Sequence, residues 1–488
     1  MCVIKKTLAE QFCEDILTFP IRNRQALANL VMALASYRGA KSVVGLSKSP
    51  VFHHEFSSVF KVIDALAKHQ HEIKRVRQLF RRQWLKYFPV KERNHLQTDV
   101  VNIFREHAPC LKERQYRHKA NNVIGGNQPL GIGFGLSLVN LADCSSSWSV
   151  PFDLKRVSAN EDEIEVGAEQ IKRICAAEEF ARSLQINAAD SSYGVAKYIS
   201  KVNGISNLVN VIRLRHANKV FESEYQETGG APQIYGSLYY LIEESGWKEY
   251  KTKKKTSHKY LTSIYEKEAD ERAEIEKETK KGRRLRIELR RWRAMKMRTK
   301  CGNSMKEVEF EIVGIRVLDK QTSKRVFKQD VFVAVVGQER EGLTIEEIAE
   351  VFYHRFDLEV TNRFLKQNLF LESYQTPEVQ HLDNWILLAQ EAMWLLWTAS
   401  EEVENVCEKW QKYSQPKAEK GGRFTPSQTR KGLERLILTF ESEPYLPKKC
   451  KKGEGRKKGK RFEPRKQYKV VKKWGKLEEI IKNRPQQE

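Results

Sequence analysis

The stretch FYHRFDLEVTNRFLKQ, residues 352–367, decides the interpretation of this chain. Its pattern predicts one continuous helix, on which Arg355, Glu359 and Lys366 lie within about 40° of one another. A carboxylate with cations on either side is commonly a solvated ion pair. Three phenylalanines in the stretch, and the apolar strand DVFVAVVG at 330–337, instead predict a helix packed against a sheet. The segment therefore presents an acid flanked by Arg and Lys on a helix that the fold holds in place.

The apolar pattern changes several times along the rest of the chain. The first residues repeat apolar side chains at helical spacing, which predicts either a small DNA-binding unit or an ordinary packing domain. From about residue 94, strands alternate with helices, which is typical of an α/β fold with a mixed sheet flanked by helices. The sequence predicts five parts: a helical N-terminal unit (1–88), a first core part (89–216), a β-rich basic insertion (217–325), a second core part (326–413) and a basic tail (414–488).

Two helix starts are marked by capping residues. Thr344 and Glu347 have the spacing of a capping box, which predicts that a helix begins after Thr344. Asp383 precedes the apolar run NWILLAQEAMWLLW and is predicted to be the N-cap of a second helix. The apolar run at Trp385–Ala399 is too short to span a bilayer and contains polar residues, so it is predicted to be a core helix.

The composition restricts the partners of the chain. Its 87 Lys+Arg against 63 Asp+Glu give a net charge of +24, which favours a polyanionic partner, nucleic acid ahead of an anionic membrane surface. The eight cysteines form no CxxC pair, which argues against a zinc ribbon or a disulfide framework. The N-terminus has no signal-peptide pattern. We expect a soluble, intracellular protein without a membrane partner.

The stretch at 352–367 resembles the final motif of bacterial insertion-sequence DDE transposases. That motif is an aromatic residue, two residues, Arg, three residues, Glu, six residues and Lys. Its positions are occupied by Phe352, Arg355, Glu359 and Lys366. The family usually has Tyr where Phe352 stands, and the continuation KQNLFLESYQTPEVQHLDNW is also similar to the family's sequel.

The resemblance implies an RNase H-like fold with two further carboxylates on neighbouring strands. Asp99 in HLQTDVVNIF and Asp190 in INAADSSYG stand where the family has its first and second Asp. With Glu359 they would be the catalytic residues and hold two Mg²⁺ (or Mn²⁺) ions, because hard cations prefer carboxylate oxygens. The 169 positions from Asp190 to Glu359 are similar to transposases with a β-strand insertion at this place. Val360 and Asn362 depart from the His and the aromatic residue of close relatives, which concerns end recognition more than chemistry.

Several basic and aromatic residues are candidates for contacting DNA. Arg213 and Arg215 alternate on one strand, where phosphate contact and cross-strand ion pairing are both open. Trp292 either stacks on an extruded base, as an insertion-domain Trp does in some relatives, or belongs to the core. From Pro447 to Lys476, 15 Lys/Arg against 2 Glu predict a tail that grips DNA or a solvated charge run. The candidates are Tyr353, Arg355, Arg363, Lys366, Arg213, Arg215 and Trp292.

The resemblance implies a DNA transposase that binds double-stranded DNA at terminal inverted repeats, cleaves beside them and joins the ends to a target. A homodimer on DNA is expected, because two ends must be brought together, and the protein would be cytoplasmic and associated with the nucleoid. Two alternatives stay open: a catalytically inactive or domesticated transposase acting as a DNA-binding protein, and a basic RNA-binding structural protein. The three carboxylates separate the first hypothesis from the others, and no RNP motif is evident.

Overall fold

The structure, a computed structural model, describes residues 7–119, 130–143, 146–223, 236–251, 256–279, 282–297, 308–404, 423–440, 459 and 463–471. Most of the predicted basic tail lies outside these residues. The helices are α1 (Leu8–Leu17), α2 (Arg24–Ser36), α3 (Ser57–Leu66), α4 (Gln70–Trp84), α5 (Glu163–Cys175), α6 (Ala196–Val202), α7 (Ile345–His354), α8 (Asp357–Gln367), α9 (Val379–Ala399) and α10 (Pro426–Phe440). The strands are β1 (Arg93–Phe104), β2 (Gln115–His118), β3 (Leu130–Ala142), β4 (Ser149–Val157), β5 (Leu184–Ala189), β6 (Leu208–Leu214), β7 (Lys219–Glu222), β8 (Leu238–Tyr240), β9 (Gly246–Lys251), β10 (Thr256–Leu261), β11 (Glu271–Glu278), β12 (Arg284–Met297), β13 (Phe310–Asp319) and β14 (Val331–Val336).

The motif stretch forms two helices, α7 and α8, with Arg355 and Phe356 in a turn between them. The backbone N–H groups of both residues donate to carbonyls three positions back, at 3.2 Å, which tightens the chain. The prediction of one continuous helix is therefore wrong: Glu359 and Lys366 share α8, whereas Arg355 lies outside it. The Arg355 side chain is buried, and its guanidinium lies 3.9 Å from Asp190 Oδ1 at the end of β5; this tertiary contact overrides the local helical preference.

The two predicted helix starts have different outcomes. At α7 the capping box is present: Glu347 N–H donates to Thr344 Oγ1 at 3.2 Å, and Thr344 N–H donates to the Glu347 carboxylate at 3.0 Å. α9 begins at Val379, so the prediction that Asp383 is its N-cap is wrong. Asp383 lies inside the helix, where its carboxylate accepts hydrogen bonds of 2.9 and 3.3 Å from the Arg156 guanidinium. Asp383 therefore forms a buried ion pair with Arg156 and does not cap the helix.

The chain divides into two compact units. The second unit, Val90–Asp99 with Ile164–Phe356, contains a mixed sheet in the order β1-β5-β6-β14-β13-β12-β7-β8, with β11 also paired to β12. β1, β5 and β6 are parallel, and the later pairs are antiparallel. The insertion strands continue this sheet, because β13 pairs with β14, and α7 packs on its apolar face.

The first unit, Met1–Pro89 with Val100–Glu163 and Asp357–Glu488, is built around α9. Every residue of α9 from Leu382 to Ala399 is buried, and the helix contacts α1, α2, α3, α4, α10 and β4. A helix that is covered on all sides is a core helix, as the sequence predicts. Within the described residues, no helix is both long enough and apolar enough to cross a membrane.

Two parts of the C-terminal region are described. α10 packs against α2 and α9, in a region where the sequence pattern gives no helix. Farther along, residues 463–471 run beside the segment before β2. Tyr468 N–H donates to the Pro109 carbonyl at 2.9 Å, and Val471 N–H donates to the Arg114 carbonyl at 2.7 Å. This portion of the tail is therefore part of the folded unit.

β1 belongs to both units. Its residues 93–98 pair with β5, and its residues 100–104 lie in the first unit, which also contains β3, the next strand in the sheet order. The chain has the α/β fold that the sequence predicts: a large mixed sheet flanked by helices, consistent with an RNase H-like core.

Candidate active site at the ends of β1 and β5

Asp99 and Asp190 lie side by side at the end of a parallel strand pair. The register of β1 and β5 ends with Thr98 opposite Ala189, and each Asp is the next residue along its chain. Both side chains are partly exposed, Asp190 to 31%. The structure thus places these two candidate acids at one point of the second unit.

Alternation along the strands puts both acids on the same face of the sheet. Thr98, one residue before Asp99, faces the other way, and its hydroxyl donates to the Asn187 side chain at 2.7 Å. Asn187 in turn donates to Asn210 Oδ1 at 2.9 Å. This buried polar chain joins β1, β5 and β6 behind the acids and fixes the register of the three strands. On the face of the acids, Gln97 Nε2 donates to the His354 carbonyl at 2.6 Å, which holds the end of α7 against β1.

Two arginines approach Asp190 from different elements of the same unit. Arg213 Nη1, from β6, and Arg355 Nη2, from the turn after α7, each lie 3.9 Å from Asp190 Oδ1. Arg355 is 3% exposed, whereas the Arg213 side chain is 40% exposed. The sequence left phosphate contact and ion pairing open for Arg213, and the structure shows a long ion-pair contact. The Arg355–Asp190 contact was not foreseen, because the expected helix placed Arg355 beside Glu359.

Glu359 lies in the first unit, exposed on the first turn of α8. α8 is held to β4 by Thr361, whose hydroxyl donates to the Ser149 carbonyl at 2.7 Å. Lys366, two turns later, donates from Nζ to the Asn102 carbonyl of β1 at 2.8 Å. α8 is therefore fixed to two strands of its own unit, which gives Glu359 a defined backbone position.

The other DNA-contact candidates have mixed surroundings. Arg363 and Arg215 are exposed, as a phosphate contact requires. Tyr353 is half-buried, and burial raises the pKa of its hydroxyl to about 12. Trp292 is fully buried; its indole N–H donates to the Lys267 carbonyl at 3.1 Å. The sequence left two interpretations of Trp292 open, stacking on a base and packing in the core. Its burial favours packing in the core.

The chemistry of the Asp99–Asp190 pair suits a divalent cation. Two carboxylates on adjacent strands supply the oxygen ligands that Mg²⁺ and Mn²⁺ prefer, and their partial exposure leaves room for water and phosphate. Among the residues that the structure describes, no group of three His, Cys, Asp or Glu side chains is close enough together to hold a metal ion. The two Asp residues fit as part of a metal site.

The chain matches a known protein family. A family model described as "DDE superfamily endonuclease" matches residues 16–268, slightly more than half of the chain. The matched range contains Asp99 and Asp190 and ends before Glu359. Comparison with curated proteins finds no match.

Proposed function

Because the chain belongs to the DDE superfamily endonucleases, we propose that it is a DNA transposase that binds terminal inverted repeats and performs two-metal-ion strand cleavage and strand transfer. Membership of this family implies a DNA substrate and metal-dependent nuclease or transposase chemistry. The observation that carries the proposal is the register of β1 and β5, which sets Asp99 beside Asp190.

Glu359 is proposed as the third acid. Its assignment rests on the spacing to Arg355 and Lys366 in the sequence and on its exposed place on α8. Asp99, Asp190 and Glu359 would hold the metal ions through carboxylate oxygens. Bound divalent cations would supply Lewis acidity toward phosphate and lower the pKa of an attacking water or 3′-hydroxyl.

The two arginines beside Asp190 have separate proposed tasks. Arg355 is a positioning residue, because its buried guanidinium approaches Asp190 from a fixed turn. Arg213 is more exposed and can turn from Asp190 to a phosphate oxygen of bound DNA. In both roles the positive charge of the guanidinium group is present at the site before DNA binds.

Double-stranded DNA would also contact surfaces away from the acids. α4 exposes Lys74, Arg75 and Arg82, which makes the helical N-terminal region a candidate for phosphate binding. Arg215, Arg363 and the Lys/Arg-rich sequence of the tail supply further positive charge, and the net charge of +24 favours binding to a polyanion. The proposed active assembly is a homodimer holding two transposon ends.

The proposal is tested by cleavage of a labelled inverted-repeat duplex in Mg²⁺ or Mn²⁺. Glu359→Gln keeps the shape of the side chain and removes the charge that the metal needs, so cleavage is expected to fall on the order of 10³-fold. Glu346→Gln is the matched control, because Glu346 is also an exposed glutamate on the first turn of a helix. DNA affinity without metal should be unchanged in both variants.

Equal cleavage by wild type and Glu359→Gln would contradict the proposed active site. A wild-type protein that binds its cognate end without cutting it would instead support the alternative function, a catalytically inactive or domesticated transposase acting as a DNA-binding protein.

A further inference from the structure

The C-terminal end of α8, the helix that carries Glu359, is held by two buried arginines. The first is Arg105, the residue directly after β1. Its guanidinium donates to the Leu371 carbonyl at 2.5 Å and to the Glu372 carbonyl at 2.9 Å. Its backbone N–H donates to the Ile132 carbonyl of β3 at 2.7 Å. The segment after α8 is therefore attached through Arg105 to the strands of the first unit.

The second arginine, Arg430, comes from α10. Its guanidinium donates to Asn368 Oδ1, one residue after α8, at 3.1 Å. It also donates to the carbonyl of Tyr37, at the end of α2, at 2.9 Å. Arg105 is 1% exposed and Arg430 is 6% exposed. The end of α8 is thus tied to β1 through one arginine and to α2 and α10 through the other.

The charges of these two arginines are balanced in an unusual way. The acceptors of their hydrogen bonds are carbonyl and amide oxygens, which carry only partial charges. Burial lowers the pKa of both guanidinium groups to about 10. The carbonyls at the C-terminal end of a helix favour a nearby cation, which offsets part of the desolvation. An uncharged core residue would avoid this desolvation altogether, so the arginines indicate a role in directing the chain.

The segment that the two arginines hold has a strained backbone. Phe370 has a φ of 58°, in the left-handed region that favours glycine, and it is 6% exposed. Such a conformation persists only where the surrounding structure determines it, and strain of this kind concentrates at functional sites. The two carbonyls that accept from Arg105, those of Leu371 and Glu372, come directly after Phe370. Arg105 therefore contributes to imposing this conformation at the end of α8.

Glu359 is exposed on the first turn of α8, so the backbone of the helix sets where its carboxylate can lie. Thr361 and Lys366 hold α8 to β4 and β1. We propose that Arg105 and Arg430 are positioning residues for Glu359: by fixing the direction of α8, they set the affinity of the active site for divalent cations. The inference rests on the proposed function of Glu359 as a metal ligand.

The test replaces each arginine with lysine in the full chain. Lysine keeps the positive charge but cannot reproduce the fork of a guanidinium, so it changes the geometry and leaves the electrostatic attraction of DNA intact. Binding of Mn²⁺ alone, followed by electron paramagnetic resonance of the free ion, should weaken roughly tenfold in Arg105→Lys and roughly threefold in Arg430→Lys. Hydrogen exchange of the α8 amides, measured in EDTA, should be faster in both variants than in wild type.

Arg423→Lys is the matched control. Arg423 also holds the C-terminal end of a helix, because its guanidinium donates to the Trp397 carbonyl of α9 at 3.1 Å, and its side chain is 13% exposed. This variant should change the Mn²⁺ affinity by less than about twofold and leave the exchange of the α8 amides unchanged. The affinity for DNA in EDTA should equal that of wild type in all three variants.

The positioning role is overturned if Arg105→Lys and Arg423→Lys change the Mn²⁺ affinity alike, or if the α8 amides of Arg105→Lys exchange at the wild-type rate. A lower free energy of unfolding in Arg105→Lys with neither change would show that Arg105 stabilises the fold without positioning Glu359. Glu359→Gln is measured in the same titration. If it binds Mn²⁺ as wild type does, the assignment of Glu359 as a ligand fails. If it binds Mn²⁺ weakly while Arg105→Lys binds normally, the positioning role alone fails.

Discussion

Two acids of this chain have opposite surroundings, one at the strand ends of the second unit and one in the helical core of the first. Asp190 is partly exposed and has two guanidinium groups at 3.9 Å. Glu391, in the middle of α9, is 0% exposed, and in the described structure neither of its carboxylate oxygens has a hydrogen-bond partner. Burial raises the pKa of Glu391 well above its usual range. The same functional group is thus set up as an accessible anion in one region and as a neutral core residue in the other.

The largest expected effect is on the rate of DNA cleavage, which should depend on Asp190 and not on Glu391. Asp190→Asn removes a proposed metal ligand, so single-turnover cleavage of an inverted-repeat duplex should fall on the order of 10³-fold. Glu391→Gln, far more buried than Asp190, should cleave at the wild-type rate. Thermal unfolding of both variants shows whether they are folded. A cleavage rate of Asp190→Asn within about tenfold of wild type would contradict the proposed difference in role between Asp190 and Glu391.

The next effect concerns a buried acid of the first unit that is paired rather than neutral. Asp383 accepts two hydrogen bonds from Arg156, and the side chains of both are at most 10% exposed. Asp383→Asn removes the buried acid that pairs with Arg156, while the more exposed Glu113 still contacts it, and we expect a loss of about 3 kcal/mol in the free energy of unfolding. Asp64→Asn is the control, because Asp64 pairs with His381 at 3.0 Å with its side chain 65% exposed. A change of equal size in the two variants, measured by urea unfolding, would show that the burial of the pair does not matter.

The smallest effect depends on pH. Since the folded pKa of Glu391 is raised, the folded state holds a proton that the unfolded state releases above its own pKa, about 4.3. This acid's contribution to stability is therefore complete below that value and declines as pH rises toward the folded pKa. Glu391→Gln removes the decline, so the variant should gain stability relative to wild type as the pH rises from 5 to 8.

The measurement is the difference in free energy of unfolding between Glu391→Gln and wild type at each pH, because other titrating groups cancel in it. A difference that does not change between pH 5 and pH 8 would mean that Glu391 is ionised in the fold.

The parts of the fold that the sequence predicts well are those fixed by local pattern. The capping box at Thr344 could be predicted because it depends on nearby residues, whereas the placement of Asp99 and Asp190 on neighbouring strands was implied by the family resemblance. The turn at Arg355 could not, since it depends on an arginine reaching Asp190, which is 165 positions away in the chain. Asp383 was predicted to be a cap because it precedes an apolar run, whereas its partner, Arg156, is 227 positions away in the chain.

Two tryptophans of the insertion, Trp247 at 71% exposure and Trp292 fully buried, also differ in a way that local sequence does not predict. Trp247 and Trp292 both lie among lysines or arginines in alternating strands, and nothing local separates them. Their exposure is decided by pairing: Trp292 is on β12, inside the large sheet between β11 and β13, whereas Trp247 is on a hairpin with one partner strand. Sequence spacing therefore identifies candidates, and strand order decides which of them can meet a ligand.

The segment 463–471 beside residues 109–115 bears on aggregation. Backbone N–H and C=O groups along the edge of a sheet attract strands from other molecules. Tyr468 and Val471 donate to carbonyls of the segment before β2, and Val471 forms a parallel bridge with Gln115. These groups are therefore already occupied within one molecule. A protease that removed residues 463–471 would expose these groups, so this segment shields the protein from self-association through this edge.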